Sequence, residues 1–172
     1  MNEFSQAVAQ FARTLRALDA VLRKAEDFAK EREFPVDNFI QQRLFPDMLP
    51  FVSQVRIACD MAKAGAAKLS GQVAPKHADD ETTFAELHAR IESVVGYLDG
   101  IPAEAFAATT PQTVVTVPFP KDKAMHAGEY LFGRQIPNFF FHVTTAYALL
   151  RAGGVPVGKM DFIGNELELL DD

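Results

Sequence analysis

Pro137-Asn138-Phe139-Phe140-Phe141-His142-Val143-Thr144-Thr145-Ala146-Tyr147-Ala148-Leu149-Leu150 is the stretch whose reading decides the fold. On a helix its apolar residues point to every side, and such a helix is expected to be covered on all sides by other parts of the chain. His142 and Asn138 stand four residues apart and share one face. A buried imidazole and a buried amide need a hydrogen-bond partner, a ligand or a metal to offset their lost hydration. This stretch is therefore both the core of the fold and the first candidate for a site.

Outward from it, three more stripes of apolar residues repeat at helical spacing. Phe4, Val8, Phe11, Leu15, Leu18, Leu22 and Ala25 make the first. Met48, Val52, Val55, Cys59, Ala62, Ala66 and Leu69 make the second, with Pro46 and Pro50 at or near its first turn and Gly71 as its stop. Thr83 and Glu86 stand in capping-box spacing ahead of the third, which runs through Phe84, Leu87, Ile91, Val94 and Leu98 to Gly100. The fourth helix, Pro137 to Arg151, is closed by Gly153-Gly154. Such stripes are satisfied by packing together as a four-helix bundle, an all-α fold.

The connections carry less regular signals. Phe34 to Phe45 contains Pro35, Asp37 and Asn38, which suit a short extra helical turn. Between the third and fourth helices Val115, Val117 and Phe119 alternate, and a turn from Pro118 to Lys123 leads into Ala124 to Phe132. That pattern predicts a small β-hairpin appended to the bundle. The acidic stretch Glu166 to Asp172 is expected to fray.

Composition narrows the function classes. The 172 residues, 48% hydrophobic and 23% charged, suffice for one core, so one domain over residues 1–172 is the expectation. A net charge of −6 argues against nucleic acid and other polyanionic partners, which are held by clustered Lys and Arg. The single Cys59 leaves no intramolecular disulfide and suits a reducing cytoplasm. No apolar run reaches the roughly 18 residues of a membrane span. Met1-Asn2-Glu3-Phe4 lacks the order of a secretory signal, so a cytoplasmic protein without membrane partners is expected.

Pro46-Asp47-Met48, the run Gln54 to Asp60, the run Pro137 to Tyr147 and Gly158-Lys159-Met160-Asp161-Phe162 together resemble the domain-of-unknown-function family DUF1993 over nearly the whole chain. That family is similar to the DinB and YfiT group of four-helix bundles. The resemblance implies a fold of that kind, to which the hairpin read above from the alternating residues is an insertion between helices three and four. Many members of the wider group hold a divalent metal such as Zn, Ni or Mn through three histidines, and some use it in thiol transfer or hydrolysis. At the matching positions this sequence reads Asp47, Asn138 and His142. A carboxylate, an amide and one imidazole suit harder ions or none.

Three readings of His142 stay open. It is a core histidine bonded to Asp47, Gln54 or a carbonyl; or a metal ligand with Asp47 and Asn138; or part of a ligand pocket formed by Asp47, Gln54, Asn138, His142 and Tyr147 among phenylalanines. His88 is expected to pair with Glu92 on its own helix, His77 to lie in a polar linker and His126 in the hairpin. Cys59 belongs to an apolar stripe, where a thiol is a poor nucleophile. Arg56 and Asp60 have salt-bridge spacing. Gly153 to Lys159 imitates a phosphate loop, but Met160 replaces the magnesium-binding hydroxyl and a helix precedes it. Two functions result: a small-molecule-binding or scaffold bundle with a degenerate metal site and no cofactor, or a divalent-metal enzyme. The apolar insertion, with Val114, Val115, Val117, Phe119, Tyr130 and Phe132, exceeds what one bundle end covers and points to a homodimer.

Overall fold

In the computed structural model, residues 2–117, 120 and 123–164 are described. Phe119 and the Glu166–Asp172 tail lie outside the described residues, as does most of the Pro118 to Lys123 turn. Helix α1 spans Glu3–Glu31, α2 Phe51–Ser70, α3 Phe84–Asp99 and α4 Ile136–Ala152. A short α5, Lys159–Ile163, follows α4. Around the bundle the order is α1, α3, α2, α4, and α5 lies against α1. The Phe11 and Phe139 rings meet 4.7 Å apart where α1 faces α4. Phe51 and Phe84 stack at 5.4 Å between α2 and α3.

Local chemistry sets the helix ends. Thr83 caps α3 through the Glu86 amide, and the Glu86 carboxylate returns to the Thr83 amide at 2.9 Å, which is the expected box. Gly71 ends α2 at a φ of 75°, a left-handed conformation that glycine adopts without a Cβ clash. Helix α2 starts later than its stripe suggests: Met48 lies in a preceding turn and Pro50 is the N-cap. A proline disfavours helical geometry in the residue before it, so the helix does not reach back through Leu49. The Phe34 to Phe45 connection contains the anticipated extra turn, a 3-10 helix over Val36–Phe39.

Strands β1, Val114–Val117, and β2, Lys123–His126, pair antiparallel with Val115 opposite Met125. Val115 and Val117 turn inward while Val114 stays exposed. The hairpin is shorter than expected, because Ala127 onward is helical and Glu129–Gln135 forms a π-helical turn leading into α4. Pro137 explains that geometry. It lacks an N–H and its ring crowds the carbonyl four residues back, and a wider turn relieves both. The insertion also buries more of itself than its composition suggests, since Val115, Val117 and Tyr130 are covered by this chain and, among its described apolar residues, Val114 and Phe132 remain largely exposed.

Helix α4 is not covered on all sides. Phe139, Val143, Ala146, Leu149 and Leu150 are buried, yet Phe141 keeps 57% of its surface exposed. The long loop between Gly71 and Thr83 is held by a buried guanidinium. Arg90 of α3 bonds Asp79 at 2.6 Å, Glu81 at 2.7 Å and Asp60 at 2.7 Å. The expected Arg56–Asp60 pair is therefore not formed: Arg56 turns to Glu81 at 2.7 Å, while Asp60 serves Arg90 and Lys63. His88 likewise bonds Asp19 and Glu26 of α1 instead of Glu92. Lys63 donates to His77 at 2.7 Å, so that histidine joins the loop to α2.

Truncating Arg90→Ala strands three carboxylates beside an apolar core. We expect a loss of about 3 kcal/mol, toward the low end for a buried ion pair because Asp79 and Asp60 keep contact with water. Urea denaturation of the variant checks this, and a midpoint equal to that of the parent would show that the network is dispensable.

Candidate functional site

Gln54 lies in the first turns of α2 and His142 in the middle of α4, two helices that pack side by side. Both are buried. The Gln54 amide nitrogen donates to the Leu49 carbonyl at 2.9 Å, which leaves its oxygen as an acceptor. That oxygen stands 2.7 Å from Nδ1 of His142, so Nδ1 carries the proton and donates it. The chain of bonds thus fixes the tautomer: Nε2 holds a lone pair. Among the described residues no side chain or carbonyl bonds it. Burial pushes the His142 pKa down, so the ring stays neutral near pH 7.

The surroundings are apolar. The Phe141 ring meets the imidazole edge-on at 5.1 Å and is substantially exposed, as is Leu49, whose carbonyl Gln54 holds. Asn138 lies one turn earlier on α4, half-buried. Asp47 is exposed in the loop ahead of α2. Tyr147 faces the other way: its hydroxyl reaches the Val157 carbonyl at 3.4 Å and its ring packs 5.8 Å from Phe162 of α5. The structure therefore brings Gln54 and His142 together directly, sets Asn138 near them along the helix, and gives Tyr147 a bracing contact elsewhere.

A divalent ion held by three imidazoles does not fit these residues. One imidazole, one neutral amide and one exposed carboxylate are the donors, and among the described residues no group of three or more His, Cys, Asp or Glu side chains is arranged to hold a metal. Cys59, fully buried on α2, has its thiol pKa pushed up to about 12 by desolvation, which keeps it protonated and unreactive. The glycine-rich segment after α4 ends that helix and leads into the five-residue α5, with no strand before it.

Gln135 is a buried polar residue that sequence reasoning missed. Its amide donates to the Met61 carbonyl at 2.9 Å, from within the π-helical turn. Gly65 makes room for it, since a Cβ there would come within 3.2 Å of the Gln135 amide nitrogen. The available signal was a lone glycine inside an otherwise regular helical stripe.

The sequence profile of a domain of unknown function, DUF1993, matches residues 4–163. The chain belongs to this family. The fold of this DUF1993 protein is similar to the crystal structure of a DinB family member protein from Shewanella denitrificans, at 40% identity and a TM-score of 0.90, covering 98% of this chain and 95% of that one. The DUF1993 chain is thus a DinB-like helical bundle with a hairpin, and among its described residues no helix is long and apolar enough to cross a membrane. None of the curated proteins matches it.

His142→Ala removes a buried ring and leaves the Gln54 oxygen unpaired, so it is expected to destabilise this fold by about 1 to 3 kcal/mol without any metal. The pH dependence has a definite sign. With its pKa lowered in the folded state, His142 contributes stability that is present above the unfolded value near 6.5 and lost as pH falls through the folded one. Denaturation of parent and variant between about pH 5 and pH 8, the range over which histidines titrate, checks both, and superimposable curves would remove the structural role.

Proposed function

We propose that this DinB-like chain is a small-molecule-binding bundle, built on a degenerate metal site, that takes a neutral ligand with an O–H or N–H donor. The observation that carries this reading is the relay from the Leu49 carbonyl through Gln54 to His142. It sets one acceptor, Nε2, in a fixed orientation on a ring that packs against Phe141. Few polar groups among apolar walls is the composition of small-molecule sites. Asn138 and Asp47 supply further polar contacts at the rim, and Tyr147 steadies α4 from its other face.

Phenol serves as a probe, with its hydroxyl as donor and its ring as apolar body. Titration followed by imidazole ¹⁵N NMR is expected to move the His142 Nε2 resonance and leave those of His77, His88 and His126 in place. Shifts spread over all four rings, or none at His142, would sink the proposal.

A second reading, a divalent-metal enzyme using Asp47, Asn138 and His142, draws on the same bond: a histidine whose Nδ1–H is held by an acceptor is oriented as metal-binding histidines are. Metal analysis of protein purified without an affinity tag separates the two. Near-stoichiometric Zn, Ni or Mn, lost in His142→Gln, would favour the enzyme, and a trace would favour the binding bundle.

We also propose a homodimer that covers the exposed Val114 and Phe132 of the insertion. Light scattering at micromolar concentration is expected to give about twice the 19.0 kDa chain mass. A monomer over a wide dilution range would overturn the dimer.

A further inference from the structure

A cavity of about 600 Å³ lies on the opposite side of α4 from the Gln54–His142 bond, between α1 and the α5 segment. Its volume lies within the range of ordinary small-molecule sites. One wall is apolar: Phe140 of α4 with Met160 and Phe162 of α5. Met160 keeps 61% of its surface exposed, so this wall is wet in the free protein. The other wall is the α1 face bearing Arg13, Arg16 and Lys24.

These three cations are not equivalent. Lys24 is neutralised by Asp161 at 2.6 Å, a bond that also ties α5 to α1. Arg16 pairs with Asp99 of α3. Among the described residues Arg13 bonds a neutral group, the Gln10 side-chain oxygen at 2.6 Å. Gln10 is itself committed, because its amide donates to Thr14 at 3.0 Å. The Arg13 guanidinium is therefore held in place by an amide and, among the described residues, meets no carboxylate. A half-buried arginine with its charge uncompensated beside aromatic and thioether surface is half of a recognition site. The net charge of −6 argues against a polyanion-tracking surface, but this is one local charge in one cleft.

We infer that the cleft between α1, α4 and α5 binds a small aromatic carboxylate, its carboxylate on Arg13 and its ring against Phe140, Met160 and Phe162. The guanidinium offers two parallel N–H donors to a carboxylate, and a flat apolar body covers the exposed wall. An aliphatic body would cover the same area without the edge and face contacts that Phe140 and Phe162 offer a ring. The inference does not rest on the His142 site, since different residues line it.

The probe is 2-naphthoate, with uncharged 2-naphthamide as its partner of the same shape, and the readout is methionine-methyl and amide NMR on the full chain. Naphthoate is expected to shift the Met160 methyl and amides around Phe140 and Phe162, while Met48, in the loop ahead of α2, stays in place. Naphthamide should bind about tenfold more weakly, the scale of one charge-assisted contact. Arg13→Gln should reduce naphthoate affinity to that of the amide, and Arg13→Lys should fall between. The amide spectrum of each variant confirms that it is folded, and the two probes on the parent protein decide the matter alone if a variant is not. Equal affinity for the two probes, shifts confined to the His142 side, or an affinity indifferent to residue 13 would each overturn the inference.

Discussion

Phe139 has no exposed surface, and its ring lies against Phe11 at the point where the first and last long helices of the bundle meet. The rest of the architecture follows from covering that side of α4. An aromatic of this size removes on the order of 200 Å² from water, and a single neighbouring helix cannot enclose it. Helix α1 closes it from one side and α2 from the other, and α3 fills the remaining groove between those two. Two faces of α4 remain, and each carries one of its other phenylalanines. Phe141 stands beside the Gln54–His142 bond and Phe140 lines the cleft under α5. The two proposed sites are thus the two sides of one helix that the bundle leaves partly open.

Polar burial then specifies what apolar burial leaves free. A hydrophobic stripe tolerates sliding of one helix along another, whereas a hydrogen bond of 2.7 Å between Gln54 and His142 does not. Arg90 has the same effect on a loop. Its side chain is 1% exposed, and that location is tolerable only with carboxylates brought to it from α2 and from the segment before α3. Burial works to lower its pKa, but the bonds to Glu81 and Asp79 outweigh it and raise the pKa, and the guanidinium stays charged. Asp79 adopts a left-handed φ of 60°, uncommon for a residue with a Cβ, and the Arg90 bond accompanies that geometry.

The bundle, its helix caps and the hairpin were legible because they depend on periodicity and on local backbone chemistry. Thr83 with Glu86, Gly71, and the alternation of Val115 and Val117 each act within a few residues of chain. What was not legible depends on distant partners. Arg56 and Asp60 have ideal spacing for each other, yet a third residue on another helix takes Asp60 and a loop carboxylate takes Arg56. His88 has Glu92 within reach along its helix and bonds Asp19, which lies 69 positions away in sequence. The π-helical turn ahead of Pro137 also escaped, because the apolar alternation of a strand and the crowding that widens a helix look alike over so short a run. At the candidate site, the sequence offered Gln54 as one of several partners for His142, and only the packing of α2 against α4 selects it.

That selection also decides how α2 and α4 are joined. A bound ion would join two helices and the loop ahead of α2 through strong bonds to three side chains. Here a neutral hydrogen bond joins the same two helices, and its Gln54 end also secures the Leu49 carbonyl, whose following residue is a proline with no N–H to offer. This bond bridges α2 and α4, while Asp47 in the loop ahead of α2 is exposed to solvent. Leu44, Phe45 and Leu49 in that loop are exposed, as is Phe141 of α4. Under the binding reading proposed above, one neutral acceptor held by Gln54, with no cluster of His, Cys, Asp or Glu around it among the described residues, suits recognition of a small molecule better than activation of water.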